Sequence, residues 1–297
     1  DVLNRLSTKA PAGQGTVTYV YDLANRLLSV SKPTAAGDPS TGTFQRAYDT
    51  AGRFTQEQYP DGKTVTHILD SNGNRTRTTW PDGYYVTRAF DQLNRLTDVF
   101  LNGSGSSSLT YGYDQLSRRS LVTMGNGAST SYAFSLNNDL AALSQNFVGS
   151  SNGYSFSFNN VHQLVGVGMS DNTFVWHPSA AGTVSYGTGD NVNKYPTVGA
   201  ASLTYDGNKN LTSDGTWTYS YDTENHLLTA TAGAVSASYV YEPSGRQAQK
   251  TVGANKTRFI YDGLDLITTY DGAGVLQNRD VPGPGMDETV MQVTAAG

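Results

Sequence analysis

The sequence predicts an all-β fold, built as a long antiparallel ribbon of β-hairpin repeats. The motif Tyr-Asp-x-x-(Gly/Asn)-(Arg/Asn)-Leu recurs from end to end at a period of roughly 21 residues, which is about the length of one β-hairpin. Helical periodicity is hard to find, and Gly, Ser, Thr, Asn and Tyr stand where a helical protein has Ala, Leu, Glu and Lys. Both observations favour strands throughout.

We predict one continuous array over residues 1–297, because no linker-like change of composition interrupts the repeat. The acidic position of the motif holds, in chain order, Asp1, Asp22, Asp49, Asp70, Asp91, Asp114, Ser135, Asn159, Asp206, Asp222, Glu242 and Asp262. The gap between Asn159 and Asp206 is about two periods, which indicates an eroded region over about 168–204, with Trp176–Gly182 as the candidate for the missing copy. Because the first motif lacks its aromatic residue, we expect the chain to be a piece of a longer polypeptide.

The residue before the acidic position lies in the first predicted strand of each repeat. These residues are Tyr21, Tyr48, Leu69, Phe90, Tyr113, Phe134, Phe158, Tyr205, Tyr221, Tyr241 and Tyr261, nearly all aromatic. Aromatic residues favour a pleated surface, and a second one often lies two positions earlier, as Tyr19 does. Since side chains at i and i+2 share a face, each repeat presents an aromatic pair that we expect to stack against its neighbours.

The acidic residue then starts a turn, because its side chain accepts a hydrogen bond from the backbone N–H two residues on. Three residues after the acidic position, Gly or Asn supplies the left-handed conformation that closes the turn, at Asn25, Gly52, Gly73, Asn94, Asn138, Asn225 and Gly245. The return strand leaves with pairs such as Arg26-Leu27, Arg53-Phe54 and Arg95-Leu96, and the arginine is spaced to form an ion pair with the acid across the turn. Second turns are predicted about midway between motifs, at 60–62, 81–83, 102–103 and 125–127.

Composition excludes several classes of function. The chain has no cysteine, so disulfides and thiolate metal sites are ruled out. A formal net charge of −5, with charged residues at 15% and the basic ones scattered one per repeat, argues against a nucleic-acid partner. No apolar run approaches the ~20 residues that a membrane-spanning helix needs. The abundance of Ser, Thr and Asn suits a secreted, cell-surface or injected protein.

Candidate chemistry is sparse, and we predict no catalytic residue, metal site or cofactor. The aspartates recur on a structural period with a turn signature around each, which favours a structural role over acid-base catalysis. The four histidines, His67, His162, His177 and His226, show no metal-binding spacing. The glycine-rich pieces 103–105 and 166–168 lack the context of a phosphate loop, so we interpret both as turns.

By these motifs the chain resembles the RHS, or YD-repeat, family. The stretches 203–215, with Leu203-Thr204-Tyr205-Asp206-Gly207, and 217–225, with Tyr219-Ser220-Tyr221-Asp222, carry the resemblance together with the earlier copies. The segment from Phe259 to Glu288 looks like the family region just before its closing segment. The match covers nearly the whole chain, and although each short motif is common, twelve in series are specific.

The resemblance implies a ribbon spiralled into a hollow shell, or part of one, that encloses a C-terminal toxin or effector domain for secretion or delivery. Expected partners are the remaining repeats and the cargo of the same longer chain, and components of a secretion system or toxin complex. The family's autoprotease motif Asp-Pro-x-Gly-Leu is absent, since the only Asp-Pro is Asp38-Pro39, so no enzyme activity is expected of this chain. The alternative is a surface adhesin, in which exposed aromatics such as Trp176 and Trp217 bind a glycan.

Overall fold

The computed structural model describes residues 1–13, 15–173, 175, 182–190, 194–285 and 288–296. Every regular element in these residues is a β-strand, as the periodicity predicts. No helix that is long and apolar enough to cross a membrane occurs within these ranges. The Trp176–Ala181 part of the candidate eroded repeat lies outside the described residues.

The strands of the described residues are numbered β1 to β27 in chain order. They are β1 (Thr8–Lys9), β2 (Val17–Tyr21), β3 (Leu27–Lys32), β4 (Gly42–Tyr48), β5 (Phe54–Gln58), β6 (Thr64–Leu69), β7 (Arg75–Thr79), β8 (Tyr85–Phe90), β9 (Leu96–Leu101), β10 (Leu109–Tyr113), β11 (Arg119–Met124), β12 (Ser129–Phe134), β13 (Leu140–Phe147), β14 (Ser150–Phe158), β15 (Leu164–Met169), β16 (Thr197–Val198), β17 (Ala201–Ser202), β18 (Thr204–Tyr205), β19 (Leu211–Ser213), β20 (Thr218–Tyr221), β21 (Leu227–Ala232), β22 (Val235–Tyr241), β23 (Gln247–Val252), β24 (Asn255–Asp262), β25 (Asp265–Asp271), β26 (Leu276–Pro282) and β27 (Thr289–Thr294).

The chain forms two compact units, one made of residues 1–66 and 182–297 and the other of residues 67–181. In the first unit the strands from β1 to β5 pair in sequence order, and so do those from β18 to β27, while β16 and β17 form a separate pair. In the second unit the strands from β7 to β15 also pair in order, and β6 contains the division between the units. Such nearest-neighbour antiparallel pairing is what a chain of hairpins produces.

Two kinds of turn alternate along the ribbon. At a motif turn the N–H of Asp22 donates to the Arg26 carbonyl at 3.0 Å, and the strand before it carries a register shift between Val20 and Tyr21. At a second turn the N–H of Tyr59 donates to the Lys63 carbonyl at 2.7 Å, and Gly62 has a φ of 86°. The left-handed residue that each turn requires therefore sets where the hairpins reverse.

The apolar core follows the alternation of the strands. In the first unit Val65, Ile267 and Val281 are almost completely buried. In the second unit the same is true of Val99 and its cross-strand partner Leu109. Alternate residues face solvent, so the strands are only half apolar, as expected for an antiparallel sheet with one solvated face.

The interpretation of residues 166–168 as a turn is wrong. Gly166 and Gly168 lie inside β15, where they pair with Ser157 and Ser155 of β14. A Cβ atom added to Gly168 would lie 2.6 Å from the Ser155 Oγ atom, so the small residue permits close strand pairing there. Glycine within a strand marks such an approach as readily as a turn.

Candidate functional site

The motif turn uses its acidic residue as a hydrogen-bond acceptor. Oδ1 of Asp22 accepts the N–H groups of Ala24 and Arg26, both at 2.9 Å, and Oδ2 accepts Nε of Arg26 at 2.6 Å. Asn25 closes the turn with a φ of 65°. The carboxylate is therefore bound to its own turn on both oxygens.

The same arrangement recurs at other copies. Ion pairs join Asp49 to Arg53, Asp91 to Arg95 and Asp114 to Arg118, at 2.6 to 2.7 Å. Where the base is absent, Asn74 donates to Asp70 at 2.8 Å and Asn210 donates to Asp206 at 2.9 Å. The predicted left-handed residues Gly52, Gly73, Asn94, Asn138, Asn225 and Gly245 all have positive φ. Ser117, His162 and Lys209 occupy the same turn position with positive φ, although neither Gly nor Asn stands there.

Hydrogen bonding keeps the motif aspartates ionised. The backbone N–H of Arg26, which donates to the Asp22 carboxylate, lowers the pKa of Asp22, and the backbone N–H of Arg95 lowers the pKa of Asp91. The side-chain amides of Asn74 and Asn210 lower the pKa values of Asp70 and Asp206. A catalytic general acid needs a raised pKa, so these groups are suited to closing turns rather than to proton transfer.

Successive repeats are joined by a cation over an aromatic ring. The guanidinium of Arg26 lies 5.0 Å from the ring centroid of Tyr48, the motif aromatic of the next repeat. Equivalent contacts join Arg5 to Tyr21, Arg95 to Tyr113, Arg118 to Phe134, Lys194 to Tyr205 and Arg246 to Tyr261, and the imidazole of His226 stacks on Tyr241. We expected the motif aromatics to stack on one another from repeat to repeat. In these contacts a cation lies over each ring instead, because the arginine that pairs with the turn acid extends over the aromatic residue of the next repeat.

Tyrosine hydroxyls make a second link between repeats. The hydroxyl of Tyr113 donates to the Leu96 carbonyl at 2.8 Å, and that of Tyr48 donates to the Leu27 carbonyl at 3.0 Å. The hydroxyl of Tyr241 likewise donates to the Leu227 carbonyl, and that of Tyr261 donates to the Gln247 carbonyl. Sequence reasoning missed this link, although the preference for Tyr over Phe at the position is its signal.

The last motif copy departs from the turn pattern. Asp262 lies at the end of β24 opposite Asp265, and only Gly263 and Leu264 connect the two strands. The shorter connection leaves Asp262 in the ladder, where it is buried, instead of at the start of a four-residue turn.

Glu242 departs from the motif by one methylene group, and its carboxylate accepts hydrogen bonds from side chains. Its Oε2 accepts Nε of Arg246 at 2.6 Å and the Ser244 hydroxyl at 3.1 Å. The Glu242 side chain is 2% exposed, against 18% for Asp22. Burial raises the pKa of Glu242, in contrast to the motif aspartates.

Arg246 extends this pair into an ionic cluster across the first unit. Its Nη1 and Nη2 atoms lie 3.3 Å from Oε2 of Glu57, a residue of β5 that is 3% exposed. The other oxygen of Glu57 accepts Nε and Nη2 of Arg46, each at 3.0 Å. Removing one member of such a buried cluster leaves an uncompensated charge, so the four groups hold one another in place.

Two further contacts join the same distant segments. The hydroxyl of Tyr59 donates to the Tyr261 carbonyl at 3.1 Å and accepts the Tyr261 N–H at 2.9 Å. The Lys32 ammonium donates to the Tyr241 carbonyl at 2.7 Å. Strands β3 to β5 are thereby held against the turns around β22 to β24, roughly 200 residues later in the chain.

One group of side chains has the composition of a metal site. Ligand atoms of Asp222, Glu224 and His226 lie within 4.8 Å of one another, a grouping that sequence spacing did not indicate. Each is already bound, since Glu224 pairs with Lys9, and Oδ2 of Asp222 lies 3.0 Å from Nδ1 of His226. We therefore assign no metal to this group.

The chain resembles known proteins in sequence and in backbone. It is 26% identical over 221 residues to the tRNA3(Ser)-specific nuclease WapA of Bacillus spizizenii, which covers 60% of this chain and 9% of the nuclease. The tRNA(Glu)-specific nuclease WapA of Bacillus subtilis subsp. natto is 37% identical over 83 residues, 27% of this chain and 4% of that nuclease. A solved Photorhabdus luminescens Tc holotoxin pore aligns with 94% of this chain and 18% of its own, with a TM-score of 0.53 and 11% identity. No family model matches.

These matches differ in what they establish. The likeness to the holotoxin pore, at 11% identity, shows the fold. The sequence matches relate the repeats to those nucleases, of which the chain spans less than a tenth.

Proposed function

Because this chain belongs to the RHS/YD-repeat family, we propose that it is a non-catalytic wall segment of a larger bacterial toxin whose shell encloses a C-terminal toxin or effector domain. The larger protein is secreted or delivered into target cells. Its remaining repeats and its cargo are the partners of this segment, together with components of a secretion system or toxin complex. Relatives named as tRNA nucleases and a Tc holotoxin pore support a toxin context.

One observation carries the proposal: the polar and charged side chains of each motif bind their own turn or the neighbouring repeats. The motif acid binds its own turn, the base lies over the next ring, and the tyrosine hydroxyl binds the previous strand. Side chains used in this way are not available to a substrate. An array of this kind is suited to forming a stiff wall.

The glycan-binding alternative gains no support. Trp176 lies outside the described residues, and Trp217 is half-buried, with its backbone N–H donating to Oδ1 of Asp214 at 2.7 Å. The matched proteins carry no carbohydrate-binding name.

Limited proteolysis of the longer natural polypeptide tests the proposal. We expect the C-terminal domain to resist protease while the wall is intact, and to be cleaved when Arg95 and Tyr113 are changed together to Ala and Leu. Leu93→Ser, at a turn position 67% exposed, is the matched control and should leave the protection unchanged. Equal cleavage of the C-terminal domain in the natural polypeptide and in the double variant would refute enclosure.

A further inference from the structure

Glu242, which departs from the motif, lines a cavity in the first unit. Its volume is about 290 Å³, near the lower end of small-molecule sites and suited to a ligand of one or two rings. The apolar wall is formed by Tyr19, Leu27, Val30, Phe44 and Pro243. Glu57, Glu242, Arg46 and Arg246 form the charged part of the lining.

The charged part of the lining is neutral as a whole. Glu57 is paired with both Arg46 and Arg246, and Glu242 is paired with Arg246. Two carboxylates and two guanidinium groups leave no net charge to attract an anion or a cation. Transferring a charged ligand into this cavity would cost hydration without a free counter-ion to replace it.

Glu242 keeps one hydrogen-bond acceptor toward the cavity. Its Oε2 binds Arg246 and Ser244, but its Oε1 accepts no hydrogen bond from the residues that the structure describes, although Glu242 is only 5% exposed. A motif aspartate such as Asp22 differs, since both of its oxygens are bound within its turn. This oxygen is therefore available to a ligand that donates one hydrogen bond.

We propose that this cavity binds an uncharged aromatic molecule with a single hydrogen-bond donor, of the phenol or indole type. The ring packs against Leu27, Val30 and Phe44, and the donor binds Oε1 of Glu242. This activity is separate from the proposed wall function. The same chemistry is present in a free small molecule and in a tyrosyl or tryptophanyl side chain of another polypeptide segment.

Ligand-observed NMR and calorimetry on the chain, with phenol as the probe, test the proposal. We expect saturable binding of phenol, and binding of benzene about tenfold weaker, because benzene lacks the donor. Benzoate and benzylammonium should bind no better than benzene. Displacement of phenol by the peptide Gly-Tyr-Gly would assign the site to a side chain, and absence of displacement would assign it to a free molecule.

Two variants locate the binding. Leu27→Trp fills the cavity and should abolish phenol binding, while Leu211→Trp, at the same motif position outside the cavity lining, should leave it unchanged. Circular dichroism confirms that each variant is folded, and if Leu27→Trp does not fold, the comparison of phenol with benzene on the unaltered chain decides. Absence of saturable phenol binding, tighter binding of either charged probe, or unchanged binding to folded Leu27→Trp would overturn the proposal.

Discussion

Tyr113 provides a direct measure of the link between repeats, because its hydroxyl and its ring contact the previous repeat separately. The hydroxyl donates to the Leu96 carbonyl at 2.8 Å, and the ring lies under the guanidinium of Arg95 at 4.6 Å. Tyr113→Phe removes the hydrogen bond and keeps the ring. A part-buried hydrogen bond contributes about 1 kcal/mol net, so we expect the free energy of unfolding to fall by about that amount.

Tyr113→Leu removes both contacts and isolates the cation–π term. A cation–π contact near the surface contributes about 0.5–1 kcal/mol, so the loss should rise to about 1.5–2 kcal/mol. In a double-mutant cycle with Arg95→Ala, the coupling energy should be about 0.5–1 kcal/mol, since each single change already removes the shared contact.

The matched control is Tyr132→Phe in β12, two strands further along the sheet. The Tyr132 ring also lies near an arginine, Arg119 at 5.3 Å, but its hydroxyl has no hydrogen-bond partner among the residues described. Because the chain has two compact units, urea unfolding is paired with hydrogen exchange of peptides from β9 and β10. If Tyr113→Phe costs no more than Tyr132→Phe, the hydroxyl link does not stabilise the array.

Three further changes test other parts of the structure. Arg246→Met leaves two buried glutamates without their shared partner, and we expect about 3–5 kcal/mol of lost stability in urea unfolding. Gly52→Ala and Gly62→Ala each place a Cβ atom on a residue with positive φ, which should lower the free energy of unfolding by about 1–2 kcal/mol. Of the two, only Gly52 has a guanidinium nitrogen 3.2 Å from the added atom, so Gly52→Ala should be more destabilising by about 0.5 kcal/mol. The backbone N–H of Arg95 holds the pKa of Asp91 below its ordinary value of 3.8. The ionised Asp91 carboxylate therefore stabilises the fold above pH 3.8, and this stabilisation is lost as the pH falls through the lowered pKa. Asp91→Asn should reduce the loss of stability that urea titrations measure between about pH 7 and about pH 3.

Each of these expectations has a contrary result. A loss below about 1 kcal/mol for Arg246→Met would mean that the two buried glutamates do not depend on Arg246 as a partner. Equal losses for the two glycine variants would show that the arginine moves aside freely. An acid profile that Asp91→Asn leaves unchanged would remove this aspartate from the groups that govern acid unfolding.

The hairpins were predictable because their causes are local. The Asp22 carboxylate binds groups within four residues of it, and the backbone N–H of Asn25 donates to the Asp22 carbonyl, so the order of residue types in the motif specifies the turn. Local bonds within the turn also explain why Ser117 takes positive φ without being Gly or Asn. The turn geometry around it is imposed by Asp114 and Arg118, and the strands on either side outweigh the preference of one residue.

The contacts that join distant strands were not predictable from one sequence. Tyr59 and Tyr261 are 202 residues apart, and no feature of either motif copy states which repeats face each other. Glycine was misread for a related reason, since Gly168 faces Ser155 in a strand pair and residue type alone does not separate that role from a turn. In both cases the role of the residue depends on which distant residue it contacts, and the local sequence does not identify that residue.

Departures from the motif nevertheless identify where those partners meet. The Asp22 carboxylate binds the backbone of its own turn as well as Arg26, whereas the Glu242 carboxylate binds side chains, among them Arg246, which is shared with Glu57 of a distant strand. A buried ion pair is weak as a source of stability but strong as a means of specifying one partner, because every alternative pairing leaves a charge unmatched. Repeats that otherwise pack alike therefore need such exceptions to define which copies lie together.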